Sequence, residues 1–232
     1  MRSAPAVAIL ALALTALPPV RAMAIQGCTL RDPDRDIRRL FPEATDYRSF
    51  FIAVADRGGE DLQRKLAQRL GHALDPVYEA IDVPYAYYQV LEGKQIIGYV
   101  AGVNQKGRYG GIQLILAVDP RGQILSLYYQ KLSTPERKQF IATGFTDQFK
   151  GLTLADFYYH AGYERLGLKR KEDRVAAIAA PADSDAARHD FAATLRGVMK
   201  DLILLDLFWL EDRNGPVFDE VQRIVEQKGA GR

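Results

Sequence analysis

Short apolar runs alternate with clusters of glycine, proline and aspartate between Tyr85 and Gly151. Tyr85 to Leu91 ends at Glu92-Gly93-Lys94, and Gln95 to Asn104 is apolar and β-branched. After a polar turn, Gly110-Gly111 leads into Ile112 to Val118. Asp119-Pro120-Arg121-Gly122 is a strong turn signal, and Gln123 to Gln130 follows. Runs bounded in this way predict four antiparallel strands joined by hairpins. Ser133-Thr134-Pro135-Glu136 then reads as a helix entry, with a helix over Pro135 to Ala142.

The flanks follow a helical rhythm. Asp34 to Leu40 predicts a short helix stopped at Phe41-Pro42, and Tyr47 to Ala55 a strand. Leu62, Leu66, Leu70 and Ala73 share one face of a helix over Glu60 to Leu74. Downstream, Leu152 to His160 predicts a short helix, Lys169 to Arg174 a solvated loop and Val175 to Ile178 an edge strand. Asp183 or Ser184 caps a long helix whose core face includes Ala187, Phe191, Leu195 and Leu202, and Phe218 to Gln227 forms a final helix. The fold class is α+β, a twisted, mainly antiparallel sheet with helices packed on it.

A different kind of signal opens the chain. Arg2, the apolar run Val7 to Leu17, Pro18-Pro19 and Ala22-Met23-Ala24 form a secretory signal peptide over residues 1–24. The run is shorter than the about 20 residues a spanning helix needs. The expected location is the periplasm. The alternative is a lipid anchor on Cys28, preceded by Ile25-Gln26-Gly27. Leu202 to Leu210 is very apolar but short, and it carries Asp206, so no second membrane segment is expected. Two units follow the signal: an N-terminal lobe over 25–83 and a sheet domain over 84–232.

Charge narrows the partners. Without Arg2 and Arg21, the 31 basic residues fall to the number of acidic ones, 29. That balance argues against nucleic acid, which needs a basic excess or face. A single cysteine excludes an intrachain disulfide. His72, His160 and His189 lie on separate elements, which argues against a histidine metal site, and neither G-x-S-x-G nor a P-loop is present. His72, near a helix end, reads as a dipole-matched group.

Two stretches have a double reading. Thr134, Pro135 and Glu136 fit an N-cap and first turn, and a helix start also offers free N–H groups to an anion or to a carbonyl that becomes negative on reduction. Gly107-Arg108-Tyr109-Gly110-Gly111 is an ordinary hairpin turn, or a backbone bared so that a flat ring can approach.

Gly98-Tyr99, Tyr109-Gly110-Gly111-Ile112, Gly122-Gln123-Ile124, Ser133-Thr134-Pro135 and Phe145-x-x-Gln148-Phe149-x-Gly151 together resemble the FMN-binding domain. That domain occurs in flavin subunits of sodium-pumping quinone reductase and the Rnf complex, and in regulators of nitrous-oxide reduction. The resemblance spans roughly Tyr85 to Leu210. It implies an exported electron-transfer flavoprotein working with a membrane-bound redox complex. Tyr109, Gly110, Gly111, Ser133, Thr134 and Pro135 would cradle the isoalloxazine, and Gln148 and Phe149 would support it. Where the family has Glu-Thr-Pro-Gly, this chain has Ser133-Thr134-Pro135-Glu136. The family joins FMN to a threonine in Ser-Gly-Ala-Thr. Here that threonine falls on Ala182, and Ser184 is the nearest hydroxyl, beside Asp183 and Asp185. The expectation is therefore non-covalent FMN. The alternative is a non-catalytic binding or assembly module that has lost flavin, with an interface near Tyr128, Tyr129, Tyr158 and Tyr159, although these four read first as strand and core residues.

Overall fold

Five strands, β1 (Asp46–Ile52), β2 (Tyr85–Glu92), β3 (Gln95–Lys106), β4 (Gly111–Val118) and β5 (Ile124–Lys131), pair antiparallel in chain order. They are seen in a computed structural model that describes residues 28–230; the expected signal peptide lies outside the described residues. The four strands predicted between Tyr85 and Gln130 are present with their ends moved by no more than two residues. Their runs are nearly continuous in hydrophobicity because both faces of the sheet are covered. Along β2, Tyr85 and Tyr87 enter one core, while Ala86, Tyr88 and Val90 enter another. Asp119 closes the β4–β5 turn by accepting from the Arg121 and Gln123 amides at 2.9 and 2.8 Å.

The larger core lies under the helices that follow the sheet. The longest, α7 (Asp185–Trp209), crosses β3 and β4 at Gly197. A methyl group there would stand 2.4 Å from Leu114 Cδ1 and 2.9 Å from Gln105 Cγ, so glycine sets how closely the helix seats. Leu154–Arg165 (α6) and Gly215–Gly229 (α8) pack beside it, with Tyr158 and Phe218 ring centres 5.2 Å apart. The Leu202 to Leu210 run is buried in this core. No helix among the described residues is long and apolar enough to cross a membrane.

The second face is closed by residues 28–31 and by α1 (Pro33–Leu40). Asp32 caps α1 by accepting from the Arg35 amide at 3.1 Å. Cys28, Leu30, Ile37 and Phe41 pack on Ala86, Val90, Val100 and Ala117. Gln130 on β5 pins the strap from both ends of its amide, accepting from Arg31 N at 3.1 Å and donating to Thr29 O at 2.7 Å.

Several boundaries differ from the sequence expectation. The strand predicted over Tyr47 to Ala55 stops at Ile52, where Val54–Arg57 (α2) and Gly59–Leu70 (α3) begin. Because β1 pairs with β2 along its whole length, the segment before residue 84 contributes to the same sheet. Gly71, at φ 80°, ends α3 four residues early in a left-handed cap. Val175 to Ile178 is a turn, not an edge strand: Asp173 accepts from the Ala176 and Ala177 amides, and Val175 and Ile178 both face inward. The helix expected over Pro135 to Ala142 shrinks to Arg137–Phe140 (α4), followed by Thr143–Thr146 (α5) and a 3-10 turn at Asp147–Phe149. Tyr129 and Tyr158 are buried, which removes them from any surface interface.

Candidate functional site

The first turns of α7 gather the segments that carried the sequence expectation. In the β3–β4 turn the Gly107 amide donates to Gly110 O at 2.8 Å, and the Arg108 amide donates to Asp190 Oδ1 at 2.6 Å. Asp190 is wholly buried on α7, and its Oδ2 has no partner. Gly107 has no room for a side chain, since a Cβ would lie 2.8 Å from Ile112 Cγ1 and 2.9 Å from Asp190 Oδ1. Ser133 stands against the next part of the turn, its Oγ 3.6 Å from where a Gly110 Cβ would be. The two segments expected to face one another are therefore neighbours, and Tyr109 projects beside them with 62% of its surface exposed.

Glu136 is the hinge of the arrangement. Its Oε2 accepts from Thr134 Oγ1 at 2.9 Å, and its Oε1 accepts from Ser184 Oγ. These two hydroxyls, Ser184 first, hold the carboxyl below its ordinary range. Ser184 is also the N-cap of α7, accepting from the Ala187 amide at 3.1 Å. Thr134 is not a helix cap: its hydroxyl is turned to the Glu136 side chain, and the position before α4 is Glu136, without a side-chain cap bond. With only four residues, α4 has no dipole to offer an anion, so that part of the expectation is corrected.

Gln148 is spent on structure. Its Oε1 accepts from the Ala179 amide at 2.7 Å and its Nε2 donates to Ala179 O at 3.4 Å, clamping the segment that leads into α7. Phe149 is fully buried, in a chain of ring contacts with Phe145, Phe140 and Tyr129. Pro135 lies in the turn before α4, and Gly111 opens β4 with the Tyr78 ring 3.5 Å from its Cβ position.

The groups around Ser184 do not fit an FMN phosphate. A phosphate needs donors, whereas Ser184 meets a carboxylate, and Asp183 and Asp185 stand exposed beside it. The nearby donors are committed: Arg188 pairs with Asp185 and the Asp183 carbonyl. Ala182 supplies no hydroxyl and packs against the core.

A second polar constellation lies deeper and carries no sequence motif. Glu79 is buried in the loop before β2, where its carboxylate accepts from the Asp75 amide at 2.7 Å, Gln105 Nε2 at 3.1 Å and Arg196. Lys200, also fully buried, sits 3.5 Å from Glu79 and donates to Asn104 O at 2.7 Å. Burial opposes ionisation of Glu79, but Lys200 and Arg196 overcome it and bring its carboxyl down to about 2. The Arg196 end opens on a cleft of about 500 Å³ with His72, Lys106 and His189 on its walls. The signal for Arg196 and Lys200 was charge at inward positions of an otherwise apolar helix; Glu79, in a loop, carried none. His72 lies beyond α3, within 2.6 Å of Arg196 Nη1, and does not cap the helix. Among the described residues there is no cluster of histidine, cysteine and carboxylates able to hold a metal ion. No protein-family model matches the chain, and no curated protein matches it.

Proposed function

We propose that this chain is an exported, non-catalytic binding or assembly module that keeps the plan of the FMN-binding domain without its flavin. One observation carries the reading: the Glu136 carboxylate bridges Thr134 and Ser184, so protein atoms satisfy each other where the cofactor would have been held. Gln148 and the Arg108 amide are likewise committed to the protein's own groups. The burial of Cys28, 1% exposed, supports a soluble periplasmic form over one anchored through that residue.

The second reading is the non-covalent FMN carrier serving a membrane-bound redox complex. It is favoured by the contact between Gly110 and Ser133 and by the open Tyr109 ring beside them, which could lie along a flat ligand. In that case the flavin would supply the redox chemistry and the protein its position.

Expression with the natural leader, followed by visible absorption, intact mass and titration with FMN, separates the two. The module reading expects a colourless protein whose spectrum and thermal midpoint do not change with added FMN. A yellow protein, or tight uptake of FMN lost on Ser133→Trp, overturns it and selects the carrier.

A further inference from the structure

One buried carboxylate answers two cations. Glu79 pairs with Arg196 at 2.6 Å and with Lys200 at 3.5 Å, and among the described residues it is the only carboxylate in ion-pair contact with either. Asp201, next to Lys200 on α7, has no hydrogen-bond partner, and burial raises its carboxyl to about 8. The cluster is thus left with a positive excess, which is costly away from water unless an anion lies within reach. That excess meets the surface through Arg196. Lys200 is sealed in the core, whereas the Arg196 side chain keeps 18% of its surface and lines the cleft of about 500 Å³.

A guanidinium carries five N–H donors and can only donate. Nε and one Nη2 hydrogen go to Glu79, and one Nη1 hydrogen goes to His72 Nδ1. Each terminal nitrogen therefore keeps one unused donor. Because His72 Nδ1 accepts, the proton of that ring sits on Nε2. Lys106, exposed at the end of β3 with no ion pair, adds a second cation to the walls. The wall carboxylate, Asp75, is turned into its own loop, its Oδ1 accepting from the Val77 and Tyr78 amides at 2.8 and 3.0 Å. Ala73, Ala192 and Ala193 supply an apolar lining.

We propose that this cleft binds a small organic monocarboxylate, with its head on Arg196 and Lys106 and its apolar body against the alanines. The volume falls within the about 300–1,000 Å³ of small-molecule sites. A planar carboxylate matches a guanidinium fork, and Glu79 holds that fork in place. Tyr109, Gly110, Ser133, Thr134 and Ser184 take no part, so the inference stands or fails apart from the flavin titration.

Benzoate and hexanoate are the probes, titrated into the mature protein by isothermal calorimetry at low salt. Benzamide is the uncharged match of benzoate, and inorganic phosphate is an anion without an apolar body. At least one of the two acids should bind saturably with a stoichiometry of one, and benzamide at least roughly tenfold more weakly. Lys106→Gln should leave the thermal midpoint of the free protein unchanged and weaken binding about threefold, as expected of an exposed cation. Ala192→Trp, at an exposed position of α7, should fill the cleft and abolish binding with an unchanged far-ultraviolet spectrum. No saturable heat from either acid at millimolar concentration overturns the proposal. So does binding of benzamide or phosphate as tight as that of the acids, or binding that survives Ala192→Trp.

Discussion

Arg196 grips both oxygens of Glu79, with Nε on Oε1 at 3.0 Å and Nη2 on Oε2 at 2.6 Å. The pair fastens the loop before β2 to the middle of α7, and Gln105 on β3 joins it from the sheet. Three layers of the fold thus meet at one carboxylate. Removing one member of a buried pair leaves the other charged and unpartnered, which costs about 3–5 kcal/mol. Glu79→Ala should therefore lower the urea midpoint far more than a surface Glu→Ala, and Glu79→Gln, which keeps some hydrogen bonds, should lower it less.

A neighbouring carboxyl gives the fold a pH signature. Asp201 is 1% exposed and neither of its oxygens has a hydrogen-bond partner. Burial pushes it up to about 8, with Lys200 pulling the other way. The folded state then keeps a proton that the unfolded chain releases near 3.8, so stability from this group is complete below that value and is lost as the pH rises toward 8. Glu79 acts in the opposite sense: its contribution is present above 4.5 and is lost as the pH falls toward 2. Between pH 5 and 8 Asp201→Asn should flatten the decline, gaining about 1–3 kcal/mol over wild type at pH 8 and little at pH 5, by denaturant titration.

The β3–β4 turn makes a sharper steric test. Gly107→Ala drives a methyl into Ile112, Asp190 and the Gly110 carbonyl, and should cost about 1–3 kcal/mol by differential scanning calorimetry. Gly111→Ala meets only ordinary contact with the Tyr78 ring and should cost much less.

Cys28 gives a chemical test of the strap. Its thiol is buried, and burial with the Asp201 charge pushes it up to about 12. Iodoacetamide should leave the native protein unlabelled and modify it fully in denaturant, with mass spectrometry as the readout.

The hairpins were legible because their turns are local: Asp119 makes its own turn bonds within four residues, and the flanking runs are bounded by it. The start of α7 was legible for the same reason, since Ser184 caps an amide three residues on. What the sequence concealed depends on distant partners. Thr134 forgoes the cap that its spelling suggests because Glu136 is also held by Ser184, 48 residues away. Val175 to Ile178 has strand-like composition, yet Asp173 folds it into a turn. Arg196, Lys200 and Asp201 were missed because hydrophobic periodicity scores apolar positions only, and charged residues on a core-facing helix register as interruptions; Glu79 lies in a loop, outside any periodic pattern. The Gly110–Ser133 apposition was expected; the carboxylate clasp beside it was not, because no spacing rule links residue 136 to residue 184.

The strap over the second face has a consequence for how the molecule is made. Thr29 and Arg31 are held by Gln130, about a hundred positions later, so the strap over the back of the sheet is not pinned until β5 has been synthesised. Contacts that remote slow folding, because a long loop must close before they give any return. A shortened version beginning after α1 would expose Ala86, Val90, Val100 and Ala117 permanently, and aggregation would follow from that greasy underside even with every catalytic or binding group left in place.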